Sequence, residues 1–195
     1  MLIECKPISK EIIERAKRKA KGKKLWLHNI VVGGDEASLV YARSNLKLLR
    51  KAGFEGKIHH LENAKEKELL YLIESLNEDE NVHGIMVNFP LPKEIDALKV
   101  REKISPIKDV DGINPLNYGR LLLGEERLVP NTPRAIVEIL KRITTLRGKD
   151  ILIINRTPVV GKPLSLMLLK RDATPTVAHS KTRNLKYKTR RADII

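Results

Sequence analysis

The chain has 195 residues, of which 42% are hydrophobic, 32% charged and only 4% aromatic. That balance fits a globular protein with a core of its own and excludes a disordered one. No apolar run approaches the roughly 20 residues that a membrane-spanning helix needs. The start, MLIECKPISKE, has no apolar leader segment, so an intracellular, cytoplasmic protein is expected. The single cysteine, Cys5, excludes an internal disulfide framework and any multi-cysteine metal site. Five scattered histidines have no metal-ligand spacing, and His59-His60 reads as a strand pair with its rings on opposite faces. No metal is expected.

The net charge of +14 is unevenly spread: residues 141–195 hold fourteen Lys or Arg against three Asp, a net +11, leaving +3 for the first 140. An anionic cofactor, a nucleic acid, an acidic neighbour or a merely solvated basic face each accounts for such an excess. Against nucleic acid, the same stretch offers only Tyr187 for base stacking and no recognised reading motif.

In chain order, residues 8–21 read as an amphipathic helix with Ser9 as N-cap, Ile12, Ile13, Ala16 and Ala20 on one side, and Gly22 as the stop. LWLHNIVV (25–32) reads as a strand and Gly33-Gly34 as a turn. Asp35 caps a helix from Glu36 to about Lys51 that Gly53 ends. A strand over 57–61, a helix over 62–76, a strand over 82–88 and a helix over 95–104 follow. Residues 106–124 read as a loop and 132–143 as a helix. After a polar break at 147–150 come a strand (151–154), a helix (161–170) and a strand (176–179). This alternation argues parallel βαβ units with right-handed crossovers. Asp193-Ile194-Ile195 reads as the opening of a further strand. A sheet left at that stage predicts a fragment of a longer pattern, natural or cloned, or a protein completed by association.

The stretch VHGIMVNFPLP (82–92) carries the most functional information. Its apolar run Ile85-Met86-Val87 ends at Asn88, and Pro90 and Pro92 forbid any continuation of the ladder. A polar side chain is thereby set at the carboxyl end of a parallel strand, where open α/β sheets hold ligands. An ordinary buried strand with a tidy end has the same pattern.

Five stretches in order, GGDEASLVYARSNLK (33–47), VHGIMVNFPLP (82–92), PIKDVDGINPLNYGRL (106–121), NRTPVVGKP (155–163) and HSKTRN (179–184), resemble the FolD family. These are methylenetetrahydrofolate dehydrogenases, usually bifunctional with methenyltetrahydrofolate cyclohydrolase activity. The resemblance covers nearly the whole chain; the family's C-terminal third, with its glycine-rich substrate loop, has no counterpart. It implies an α/β fold: an N-terminal parallel βαβ folate-site domain over residues 1–125, then an incomplete Rossmann-type NAD(P)-binding domain over residues 126–195. It also implies tetrahydrofolate derivatives as substrates, NADP favoured over NAD as cofactor, and a homodimer paired through the cofactor domain.

Residue by residue, Tyr41 matches the family tyrosine beside the folate, but the family lysine four positions on is Asn45. Positions 41, 45 and 48 share a helix face, whereas Lys47 lies roughly 120° away and cannot stand in. That lysine implies proton handling in the cyclohydrolase step, which an amide cannot perform. Its family partner, a glutamine, is Asn88 here, with Val87 and Phe89 beside it in the implied folate wall. Asp111 matches the aspartate that accepts hydrogen bonds from the pterin, and Lys108 and Asp109 are expected to fix its loop. Taken alone, Asp111-Gly112 is an ordinary turn. For the cofactor, Asn155 stands at the family's first glycine and Thr157 at its serine. Gly161 opens the helix expected to face phosphates, and Arg156 with Ser180 matches the clamp on a 2′-phosphate. An isolated Arg in such a turn is an ordinary solvated residue. A second reading is an inactive or partial relative that keeps the fold as an interaction module.

Overall fold

The computed structural model describes residues 3–195 and divides into two compact units, one through Val110 and one from Asp111. The division falls ahead of the expected boundary after residue 125.

The first unit opens with helix α1 (Cys5–Ala20), which starts earlier than expected. Pro7 sits in its first turn, where a missing N–H costs nothing, so Ser9 lies inside the helix instead of capping it. The helix ends at Lys21 in the left-handed region (φ 48°), followed by Gly22. Then come β1 (Trp26–Val32), α2 (Glu36–Lys51), β2 (Glu55–Leu61), α3 (Glu66–Glu78), β3 (Gly84–Val87) and α4 (Ala97–Lys103). Asp35 caps α2 as expected, its Oδ2 accepting from the Ser38 amide at 3.1 Å and the Ser38 hydroxyl at 2.6 Å.

The sheet is parallel with order β2-β1-β3. Moving outward from β1 and then back across it, right-handed crossovers put α2 on one face and α3 on the other. Strand alternation settles which side chains meet which helix. Asn29, Met86 and Asn88 share the α2 face; Ile30, Ile85 and Val87 face the other way into a core with Leu69 and Ile73, all at most 1% exposed. His59 and His60 do lie on opposite faces: His59 Nε2 is 3.0 Å from His28 Nδ1, and His60 Nε2 is 2.9 Å from the Gly33 carbonyl.

The second unit contains α5 (Pro115–Leu122), α6 (Asn131–Ile143), β4 (Asp150–Ile153), α7 (Gly161–Leu169), β5 (Thr174–Val177) and α8 (Leu185–Arg191). Helix α5 was expected as loop. Asn114 accepts from the Leu116 amide at 2.8 Å and Pro115 takes the first helical position, so a short capped helix forms there. Gly112 (φ +63°) lies so close to Val129 that a Cβ would come within 2.3 Å of its backbone. Asp111 and Gly112, the last two residues of KDVDG, therefore belong with this unit, while Lys108 to Val110 stay with the first. The core gathers Leu121, Val137, Ile151, Ile153, Met167 and Leu168 from α5, α6, β4 and α7. Strands β4 and β5 are parallel, and Asp193 and Ile194 pair along the other edge of β4, through Asp193 N to Asp150 O and Leu152 N to Ile194 O, both 2.8 Å. At the expected strand over 193–195 the structure has a single bridge, Ile151 to Ile194.

Candidate active site

In the first unit the strand order reverses at β1, so the crevice between the carboxyl ends of β1 and β3 is the switch point at which open parallel sheets bind ligands. Asn88 occupies it, 6% exposed. Its Nδ2 donates to Asn29 Oδ1 in a short contact and to the Ile30 carbonyl at 2.9 Å. Asn29 is 3% exposed, and its own Nδ2 donates to Met86 Sδ at 3.9 Å. From the neighbouring helix α2, Asn45 Nδ2 reaches the same sulfur at 3.7 Å. The structure thus joins Asn45 and Asn88 through Met86 and Asn29. This is a network of amides and a thioether, none of which ionises near neutral pH.

Tyr41 stands one turn before Asn45 on α2 and is 53% exposed, leaving its ring open to a ligand. Val87 is 1% exposed and points away from the α2 face, so it backs the wall without lining it. Phe89 follows Asn88 into a cis peptide with Pro90 and lies under the Arg101 guanidinium, 4.9 Å from the ring centroid. Sequence reasoning missed Asn29 and Met86. The signal for Asn29 was a lone amide inside LWLHNIVV, paired in register with Met86.

The loop leading to Asp111 is fixed as expected. Lys108 Nζ donates to the carbonyls of Leu76, Asn77 and Asp79 at 3.1, 2.8 and 2.7 Å, closing the end of α3. Asp109 is fully buried and bridges to Ile85. Asp111 opens the second unit, and its Oδ1 accepts from Asn131 Nδ2 at 2.8 Å, an orienting partner that sequence reasoning also missed. A carboxylate held in this way can accept from a fork of ring and amino N–H groups.

In the second unit the turn between β4 and α7 carries Asn155, Arg156, Thr157 and Gly161. Asn155 Oδ1 accepts from the Thr157 amide and hydroxyl, both at 2.8 Å, and from the Gly161 amide at 3.1 Å. Only glycine fits at 161, because a Cβ there would lie 1.8 Å from the Asn155 carbonyl oxygen. Arg156 is exposed, and Ser180, three residues beyond β5, is exposed at the same end of the parallel pair. A helix start, a guanidinium and a hydroxyl at the carboxyl end of parallel strands suit the phosphates of a dinucleotide.

Among the described residues no group of three or more His, Cys, Asp or Glu could hold a metal, and no helix is long and apolar enough to cross a membrane.

The tetrahydrofolate dehydrogenase/cyclohydrolase catalytic domain matches residues 3–111, and the NAD(P)-binding domain of the same enzymes matches residues 130–195. A bifunctional protein FolD of Caldanaerobacter subterraneus is 42% identical over the full chain, which spans 71% of that relative. The crystal structure of a FolD methylenetetrahydrofolate dehydrogenase/cyclohydrolase from Campylobacter jejuni superposes with a TM-score of 0.92 at 41% identity, over 97% of this chain and 70% of that one. The Trypanosoma brucei enzyme, solved with NADP and an inhibitor, gives 0.92 at 30% identity over 100% of this chain and 70% of its own. With both domains matched in order, the chain belongs to the tetrahydrofolate dehydrogenase/cyclohydrolase family.

Proposed function

We propose that the chain oxidises 5,10-methylenetetrahydrofolate to 5,10-methenyltetrahydrofolate with NADP, and that it does not hydrolyse the methenyl product. The observation that carries this reading is the Asn29–Met86–Asn45–Asn88 network at the switch point, which has no group able to exchange a proton near neutral pH.

The two family reactions differ in what they ask of the protein. Oxidation moves a hydride from the folate methylene carbon, leaving a cationic methenyl product, and needs no side-chain proton transfer; the nicotinamide, when bound, accepts that hydride. This chain has to bind and orient its substrate. Tyr41 offers an exposed ring for stacking, and Asp111, steadied by Asn131, offers a carboxylate to the pterin N–H groups. Arg156 and Ser180 supply a cation and a hydroxyl suited to the 2′-phosphate that distinguishes NADP from NAD. Hydrolysis of the methenyl product requires an activated water and a proton acceptor, and Asn45 supplies none.

A homodimer and a cytoplasmic location in one-carbon metabolism belong to the same reading, by likeness to the family. The purified protein, given methylenetetrahydrofolate, should generate NADPH; no reduction of NADP or NAD would defeat the reading. An alternative, a relative retained as an interaction module, is favoured by one observation: Asn155 already occupies the first amide of α7.

A further inference from the structure

The turn preceding α7 is closed by a side chain. Three donors converge on one oxygen, Asn155 Oδ1: the amide and hydroxyl of Thr157 and the amide of Gly161, at 2.8, 2.8 and 3.1 Å. Gly161 is the first residue of the nine-residue helix α7, and its amide is one of the donors that such a helix leaves without an intrahelical partner. Amides of this kind, at the end of a helix dipole, are what a phosphate meets when it binds there. The fit around the oxygen is close, since α7 approaches the Asn155 backbone so tightly that position 161 admits no Cβ. The Asn155 carboxamide therefore holds, with a neutral dipole, the place of an anionic oxygen. The match of residues 130–195 to an NAD(P)-binding domain independently points to a dinucleotide as the anionic ligand of this unit.

We infer that Asn155 is an internal stand-in for a phosphate oxygen, and that by competing with the dinucleotide pyrophosphate it sets the affinity of this unit for NADP. This rests on the dinucleotide reading given above. Binding requires either that the side chain rotate out, surrendering three hydrogen bonds, or that the phosphates be held only by flanking groups such as the exposed Arg156 and Lys162. Both routes weaken binding relative to a turn whose amides are open. Asn155 is thus an affinity-setting residue that acts through donors it occupies.

Calorimetric titration of NADP into the wild-type chain, Asn155→Gly and Asn155→Asp tests this without reference to turnover. Asn155→Gly opens the amides. It should bind NADP about tenfold more tightly, the size of one hydrogen bond to a charged acceptor, while its melting temperature falls because the turn has lost its closing oxygen. Asn155→Asp keeps the three acceptor contacts and the fold but places a full negative charge where phosphate must come, so binding should weaken about tenfold or more. A residue that only supported the turn would behave differently: Asn155→Gly would lose stability and affinity together, and Asn155→Asp would bind like the wild type. Either result, in a protein that still reduces NADP, overturns this inference and leaves the dehydrogenase reading standing. Absence of NADP binding and of NADP reduction in all three proteins overturns both.

Discussion

In the proposed function, Asn45 and Asn88 are the residues that separate the two family reactions. Each is an amide where the family resemblance implies a proton-handling pair, and both amides are engaged, Asn88 with Asn29 and the Ile30 carbonyl and Asn45 with Met86. If their replacement abolishes the cyclohydrolase reaction, as proposed, restoring the pair should bring that reaction back. Asn45→Lys combined with Asn88→Gln is expected to raise hydrolysis of methenyltetrahydrofolate by about 100-fold over wild type, the low end of what a positioned acid or base contributes; an unchanged rate in a folded double variant would count against the assignment. Asn45 and Asn88 were singled out in the sequence because the family resemblance maps onto their motifs, and the structure brings the two into one hydrogen-bonded network. Asn29 and Met86 were not, since their roles depend on strand register and on which sheet face α2 covers. A second residue-scale prediction concerns His59. Burial, with His28 and Lys57 beside it, pushes its pKa from 6.5 down to about 4, and burial lowers His28 as well. With a depressed folded value, the unfolded chain binds more protons between these limits, so stability falls as pH drops from 6.5 towards 4 and is level above. Melting temperatures across that range should show this slope, and His59→Gln should reduce it; a wild-type profile flat through the window would contradict the account.

At the scale of elements, the ends of helices position the site. Helix α3 lacks a glycine terminator and is closed by Lys108, whose three bonds to Leu76, Asn77 and Asp79 also anchor the segment that pairs Asp109 with β3. Lys108→Met keeps most of the aliphatic stem and removes the donors. It should cost about 2 kcal/mol, the usual penalty for leaving partly buried carbonyls without their partner, read as a lower denaturant midpoint with an unchanged slope. Equal midpoints for variant and wild type would mean that solvent serves those carbonyls equally well. Most elements could be read from periodicity and punctuation: Asp35 before α2, Gly53 after it, and the apolar runs of β1, β3 and β4. Two helices could not. Helix α5 is eight residues long and begins within a run of turn formers, where the Asn114-Pro115 start signal competes with a loop reading. Helix α8 is seven residues, four of them Lys or Arg, with none buried, so it has no apolar stripe to detect.

Across the whole molecule, two parallel sheets of three and two strands are arranged as the alternation of strand and helix implied. The concentration of positive charge also finds a structural setting. The last 55 residues carry +11, and this is the stretch matched to a domain that binds a polyanionic cofactor. The domain boundary was less legible. It falls inside KDVDG, after Val110, because Gly112 packs on Val129, a contact seventeen positions away that no local pattern announces. The division of labour proposed for the two reactions is a property of the intact chain, and product stoichiometry tests it most directly. With methylenetetrahydrofolate and NADP, the purified protein should form NADPH and methenyltetrahydrofolate in equal amounts, and the methenyl compound should then decay no faster than in buffer alone. Enzyme-dependent loss of methenyltetrahydrofolate, or a failure to form NADPH at all, would contradict the account.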